Sequence, residues 1–154
     1  MAFKDQATKE AAYQMLLAQQ EALIAGETNL IANLANASAL LNQTLPNTVF
    51  AGFYLYQDDA LILGPFQGNV SCVHIAMGKG VCGEAAAKRM TVIMDDATKR
   101  QNYIACDSRA RSEIVVPIIK DNQLIGVLDL DSDLVADYDS TDQAYLEKYV
   151  NLLV

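Results

Sequence analysis

The hydrophobic period of this chain changes at Pro46, and that change limits its fold more than any other feature. Before it, apolar residues recur at helical spacing. Tyr13, Leu16, Leu17, Leu23 and Ile24 stripe a helix over residues 5–25 that Gly26 ends. Leu30, Ile31, Leu34, Leu41 and Leu45 stripe a second, from about Asn29 to Leu45. Pro46 lacks an amide hydrogen and its ring collides with the preceding turn, so the second helix stops there. Beyond it the period falls to two. Thr48–Gln57 reads as a strand, Asp58-Asp59 as a turn into a second strand through Gly64, and about Asn69–Met77 as a third. Gly78-Lys79-Gly80 opens a short alanine-rich helix, Val81–Arg89, followed by a short strand, Thr91–Met94, and a polar loop, Asp95–Ser108. The clearest hairpin is Ser112–Asp131, where the runs Glu113–Ile119 and Leu124–Leu130 flank the turn Lys120–Gln123. Ser140-Thr141-Asp142-Gln143 reads as a capping box that starts a last helix, striped by Tyr145, Leu146, Tyr149, Val150 and Leu153. This order predicts one α+β domain over residues 1–154, an antiparallel sheet with helices packed on one face.

Composition narrows the function. With 52% apolar and 19% charged residues in 154, the chain buries a core rather than staying disordered. A net charge of −8 counts against nucleic acid and anionic membranes, which need clustered Lys and Arg. No apolar run approaches the roughly 18 residues that span a bilayer. The polar start Met1–Gln6 does not read as a signal peptide, so a cytoplasmic location is expected. Cys72, Cys82 and Cys106 form no CxxC pair and no structural disulfide framework. His74 is the one histidine, alternates with apolar neighbours, and reads as structural or surface-facing; no metal or cofactor is expected.

Three groups of residues carry possible chemistry. The first is the cysteines. Cys82 starts a helix, where free N–H groups favour a thiolate. Cys106 lies between Asp107, which raises its pKa, and Arg109 and Arg111, which lower it. Cys72 falls on an expected strand as the least exposed of the three, and spacing alone does not choose the nucleophile. The second group is acidic. Asp129 and Asp131 are two apart on a strand and share a face, and Glu113 should lie opposite that end of the hairpin. A solvated hairpin end is the plain alternative, but Leu128 and Leu130 alternate with the aspartates and imply a buried sheet. Converging carboxylates there should keep at least one protonated near neutral pH. The third group is aromatic: alternation puts Phe50, Tyr54 and Tyr56 on one face and Phe53 on the other, which alone reads as core. Gly78-x-Gly80-x-x-Gly83 matches a nucleotide-binding pattern formally, without the βαβ unit that gives it meaning.

In order along the chain stand Gly64-Pro-Phe-Gln-Gly68, Cys72, Gly78-Lys-Gly-Val-Cys-Gly83, Ile104-Ala-Cys-Asp107, Ser112-Glu-Ile-Val-Val-Pro-Ile118 and Val127-Leu-Asp-Leu-Asp-Ser132. These blocks resemble the free methionine-(R)-sulfoxide reductases, stand-alone proteins with a GAF-domain fold, over essentially the whole chain. The resemblance implies a GAF-like fold and reduction of free methionine sulfoxide. It implies Cys106 as nucleophile, Cys72 as the cysteine that resolves it as a disulfide, and Cys82 as a secondary partner. It implies Glu113, Asp129 and Asp131 in the substrate pocket, with Phe50 and Tyr54 closing over the substrate methyl. It also implies thioredoxin as reductant and a homodimer. The chain departs from the pattern at Phe50, where tryptophan is usual, at Lys99-Arg-Gln-Asn-Tyr103, which replaces a run with histidine, proline and glycine, and at Asp133, where proline is common.

The residue types suit such a reaction. A sulfoxide oxygen leaves only when protonated, so thiolate attack on sulfur needs a neighbouring acid. A second, ionised carboxylate can pair with the substrate ammonium. Two rivals use parts of the same equipment. A GAF sensor binding a small ligand is normally fused to an output domain, for which 154 residues are expected to leave no room. A thiol peroxidase would form the same sulfenic acid without requiring the acids.

Overall fold

The helices and strands follow the period change closely, and the computed structural model describes residues 3–154 of the chain. Helix α1 spans Gln6–Ile24 and α2 Leu30–Thr44, capped by Asp5 and Asn29, whose side chains accept from the N–H groups of Thr8 and Ala32. Strands β1 (Thr48–Gln57) and β2 (Ala60–Gly68) form a hairpin, then β3 (His74–Ala76), α3 (Gly80–Lys88) and β4 (Val92–Met94) follow. Strands β5 (Ser112–Lys120) and β6 (Gln123–Ser132) form the second hairpin, and α4 (Ser140–Leu152) closes the chain. The six strands order as β3-β2-β1-β6-β5-β4, every neighbouring pair antiparallel. The α+β, antiparallel architecture therefore stands.

The two faces of the sheet carry separate cores. Alternation sends Ala51, Phe53, Ile114, Val116, Leu128 and Leu130 to one face, under α1, α2 and α4, where they meet Leu16, Leu34, Leu41 and Tyr149. The intervening residues Phe50, Tyr54, Val115 and Val127 face the other way, toward α3. Helices thus cover both faces, where the sequence led us to expect one. The cause is local. Val81, Cys82, Ala85 and Ala86 give α3 a narrow buried stripe of mostly small residues that seats it close to the sheet. Gly83 completes the seat, since a Cβ there would lie 2.4 Å from the Ala76 carbonyl oxygen. Gly80 starts the helix with φ +62°, a left-handed conformation that other residues adopt at a cost.

Other boundaries move for identifiable reasons. β2 runs on to Gly68 rather than ending at Gly64, because Pro65 falls in a register shift opposite Gly52–Tyr54, where its missing N–H breaks no ladder bond. β3 is correspondingly short, since Asn69–Val73 leave the sheet apart from the bonds of Asn69 N–H to the Val49 carbonyl (3.0 Å) and of Leu63 N–H to the Val73 carbonyl (2.9 Å). The α4 capping box is real but sits one residue earlier, between Asp139 and Asp142. No helix among the described residues is long and apolar enough to cross a membrane.

Candidate active site

The acidic group is placed by the register of the β5–β6 hairpin. Asp121 and Asn122 both take left-handed backbone angles (φ 50° and 63°), which makes a tight two-residue turn and pairs Lys120 with Gln123. Ile119 then pairs with Leu124 but Ile118 with Gly126, so Ile125 is an extra, bulged residue. That bulge decides the chemistry. Continued without it, the register would set Glu113 against Leu130; with it, Glu113 lies directly opposite Asp131. Asp129, two residues back, projects from the same face, and the three acids are 7%, 4% and 7% exposed. The convergence expected from the sequence is observed.

These carboxyls have little to hold their charge. Burial raises the pKa of Glu113 and of Asp131 well above the carboxylate range, and the nearest acids, Asp129 and Glu113 respectively, raise them further. Asp129 is pushed up to about 8 by burial and then by Asp131. Asp129 Oδ1 and Asp131 Oδ1 accept no hydrogen bond from any permanent donor. The groups beside them are one another, so carboxyl–carboxyl bonds exist only while a proton is shared within the cluster. Cys82 closes the group, its Sγ 3.8 Å from Glu113 Oε2.

The cysteines differ from expectation in two respects. Cys82, not Cys72, is the buried one, and Cys72 lies in the loop between β2 and β3 rather than on a strand. Burial, and after it Asp129 and Glu113, raise the Cys82 thiol well above its ordinary pKa, so the acids and desolvation outweigh the helix terminus. Cys72 and Cys106 are joined as a disulfide that ties the β2–β3 loop to the 95–111 loop. A second tie runs beside it, Asn69 Nδ2 donating to Asp107 Oδ2 at 2.6 Å. Asn102 fastens the same loop to the start of α3, accepting from Gly80 N–H (3.1 Å) and donating to the Gly78 carbonyl (3.2 Å).

A cavity opens over this group. Tyr54, Cys82, Cys106, Glu113, Asp129 and Asp131 line it, together with Tyr103, Ile104, Asp107 and Lys79. The Tyr54 hydroxyl donates to the Cys72 carbonyl (2.9 Å) and shares a 2.8 Å bond with Ser71 Oγ. Phe50 does not reach the cavity; it stacks behind the wall, its ring centroid 6.1 Å from Tyr54 and 5.2 Å from Phe66. His74 is exposed on β3. Sequence reasoning missed Tyr103, whose hydroxyl pKa is raised by burial and then by Glu113. Its signal was weak, an aromatic residue in a polar loop with no periodicity to aim it. Among the described residues, Cys82, Glu113 and Asp129 each bring one ligand atom within 4.8 Å of the others, a spacing a metal cation or an ammonium group would suit.

With this geometry in place, likeness to known proteins identifies the family. The GAF domain family matches residues 34–153. Free methionine-R-sulfoxide reductase of Escherichia coli is 47% identical over 129 residues, which are 84% of this chain and 78% of that protein. The chain belongs to the free methionine-R-sulfoxide reductase family. The Saccharomyces cerevisiae member is 42% identical, over 94% of this chain and 85% of its own. The structure of the Neisseria meningitidis reductase in complex with its substrate superposes with a TM-score of 0.92 at 42% identity, covering 99% of this chain and 92% of that one. The family's fold, a curled antiparallel sheet of six strands with four helices, is the one seen here. Of the departures from the family pattern, Phe50 lies behind the cavity wall, whereas Tyr103 lies in it.

Proposed function

We propose that this protein reduces free L-methionine (R)-sulfoxide to methionine through a cysteine sulfenic acid and a disulfide, and that thioredoxin recycles it. The observation that carries the reading is one cavity holding a disulfide-forming cysteine, Cys106, and three buried acids, two of which, Asp129 and Asp131, each keep an oxygen without a permanent donor. An isolated acid cluster of this kind is costly unless a ligand brings the missing charge. A free amino acid brings an ammonium group for one acid and a sulfoxide oxygen for another.

In the reduced protein, the Cys106 thiolate attacks the sulfoxide sulfur while Glu113 or Asp131 donates a proton to the oxygen. Methionine leaves and Cys106 becomes a sulfenic acid. The Cys72 thiol displaces water from it, which gives the disulfide found here. Asp129, which lines the cavity with an oxygen that has no permanent donor, is assigned to the ammonium. Tyr54, backed by Phe50, supplies the apolar wall for the methyl group. Cys82 is a reserve thiol beneath the acids, silenced first by burial and then by those acids. A reducing, cytoplasmic compartment suits a disulfide made and broken in turnover, and a homodimer is part of the same reading.

The deciding experiment follows thioredoxin-coupled reductant consumption with the two free methionine sulfoxide epimers, a peptide-bound sulfoxide and hydrogen peroxide. Turnover confined to the free (R) epimer is expected. Preference for peroxide would make the protein a peroxidase, and binding without turnover would make it a sensor.

A further inference from the structure

The Cys72–Cys106 disulfide is presented unevenly. Cys106 lines the cavity over the acids, and Cys72 does not. Cys72 lies instead on the irregular segment between β2 and β3, where Val70 is 85% exposed and Val73 54% exposed. Ile104, two residues before Cys106, is 40% exposed at the same disulfide. Apolar side chains held out in water around a reactive bond mark a contact surface rather than a core. Cations also stand near the disulfide. The chain carries −8 overall, yet Lys79 at the cavity mouth and Arg109 beside Cys106 are exposed cations.

From this asymmetry we propose that Val70 and Val73 form the docking surface for a protein dithiol with an apolar, acid-flanked active-site rim, and that this partner attacks Cys72. The proposal rests on the reading that the disulfide turns over. The partner's thiolate forms a bond to Cys72 Sγ as the Cys72–Cys106 bond breaks, and the electron pair leaves on Cys106. The partner's second thiol loses its proton and attacks its own sulfur in the mixed disulfide. The electron pair then leaves on Cys72, which takes up a proton. The partner ends as a disulfide, and Cys72 and Cys106 have gained the two electrons it lost. Attack on Cys72 has a consequence that attack on Cys106 lacks: it frees the nucleophile directly into the cavity, with no partner attached there. The cations serve the encounter, since an acidic partner is repelled by most of this surface and attracted at the disulfide.

The test uses the oxidised full chain and thioredoxin, without sulfoxide. Thioredoxin whose resolving cysteine is replaced by serine should be trapped as a mixed disulfide, and peptide mass spectrometry should place it on Cys72. The double variant V70E/V73E should lower the rate of disulfide reduction by intact thioredoxin about tenfold or more. Its reduction by dithiothreitol should stay within about twofold, because a small dithiol needs no docking surface. Added salt should slow the thioredoxin reaction and not the dithiothreitol one. A Cys106 adduct, an unchanged thioredoxin rate, or an equal loss with both reductants overturns the proposal. If circular dichroism shows that V70E/V73E is unfolded, V70S/V73S is read by the same ratio of rates. Failure of the reductase reading shows separately, as no methionine formed by the unaltered protein with either reductant.

Discussion

The two faces of the sheet treat buried polar groups in opposite ways. Under α1, α2 and α4, Asp142 accepts from the Tyr13 hydroxyl at 2.5 Å and pairs with Lys9. The Tyr149 hydroxyl donates to Gln20 Oε1 at 2.6 Å, and Ser38 donates to the Leu34 carbonyl at 2.8 Å. Gln20 Nε2 is the one loose end among these. Under α3, by contrast, three acids and a thiol face one another, and two carboxyl oxygens have no permanent donor. Strand β6 contributes to both, with Leu128 and Leu130 on one side and Asp129 and Asp131 on the other. One face is built for stability; the other is left incomplete for a ligand to finish.

The sharpest break in this symmetry should come at Cys106. Cys106→Ser is expected to abolish sulfoxide reduction even in a single turnover, measured as methionine released by chromatography. Cys72→Ser should still convert about one equivalent per chain, because the sulfenic acid forms before any disulfide, while thioredoxin-supported turnover collapses. If Cys106→Ser retains activity and Cys82→Ser is dead, the nucleophile lies in α3 and the assignment is wrong.

The next largest effect tests whether the acids act as acids. Glu113→Gln keeps the shape and removes the proton donor, so kcat should fall by about 10²–10⁴ with KM little changed. Should Asp131→Asn show that fall instead, the donor is Asp131. Amide substitutions that leave kcat, KM and the pH profile alone at all three positions would reduce the cluster to a buried oddity. On the opposite face of the same strand, Leu128→Ala should cost about 2–5 kcal/mol in urea unfolding, as for other Leu→Ala core cavities. Its kcat/KM, measured while it remains folded, should stay within about threefold. A large kcat loss there would mean that the two faces are mechanically coupled through β6.

How far these differences could be read from sequence depends on what set them. Alternation along β5 and β6 gave away both faces, because a strand has only two sides and Leu128-Asp129-Leu130-Asp131 declares which is which. The ordered motif blocks gave the family, and with it roles that spacing alone left open. What stayed hidden was set by contacts distant in sequence. The Ile125 bulge that aligns Glu113 with Asp131 leaves no mark in a run of β-branched residues. Cys82 looked activated because its helix terminus is local and visible, whereas the burial that silences it, and after it the acids of β5 and β6, come from packing against the sheet. The face that α3 covers also stayed hidden, because it is set by the packing of Val81, Cys82, Ala85 and Ala86 against residues distant in sequence.

The smallest predicted effect is also the most direct reading of the contrast, because its sign differs between the faces. The Asp129 carboxyl titrates near 3.8 without its surroundings and at about 8 in the folded protein. Between those values the folded state binds the extra proton, so stability falls as pH rises through the window and the loss is complete above about 8. Asp129→Asn removes that term. At pH 3.5 the variant should match the parent closely, and at pH 8 it should be more stable, with a higher Tm. The two remaining acids should then titrate lower, since they lose a repelling neighbour. Asp139, on the side of the helix-covered core, behaves in the opposite sense. Its pKa is lowered: burial works against this, but the hydrogen bond and charge of Lys9 and the amides of α4 outweigh it. Its contribution is therefore present at neutral pH and lost as pH falls through the acid range. Asp139→Asn keeps a good N-cap and should lower Tm slightly at pH 7, screened by solvent, with no change at pH 3. Parallel pH–Tm curves for the two variants, in place of slopes of opposite sign, would show that Asp129 is neither desolvated nor crowded by its neighbours.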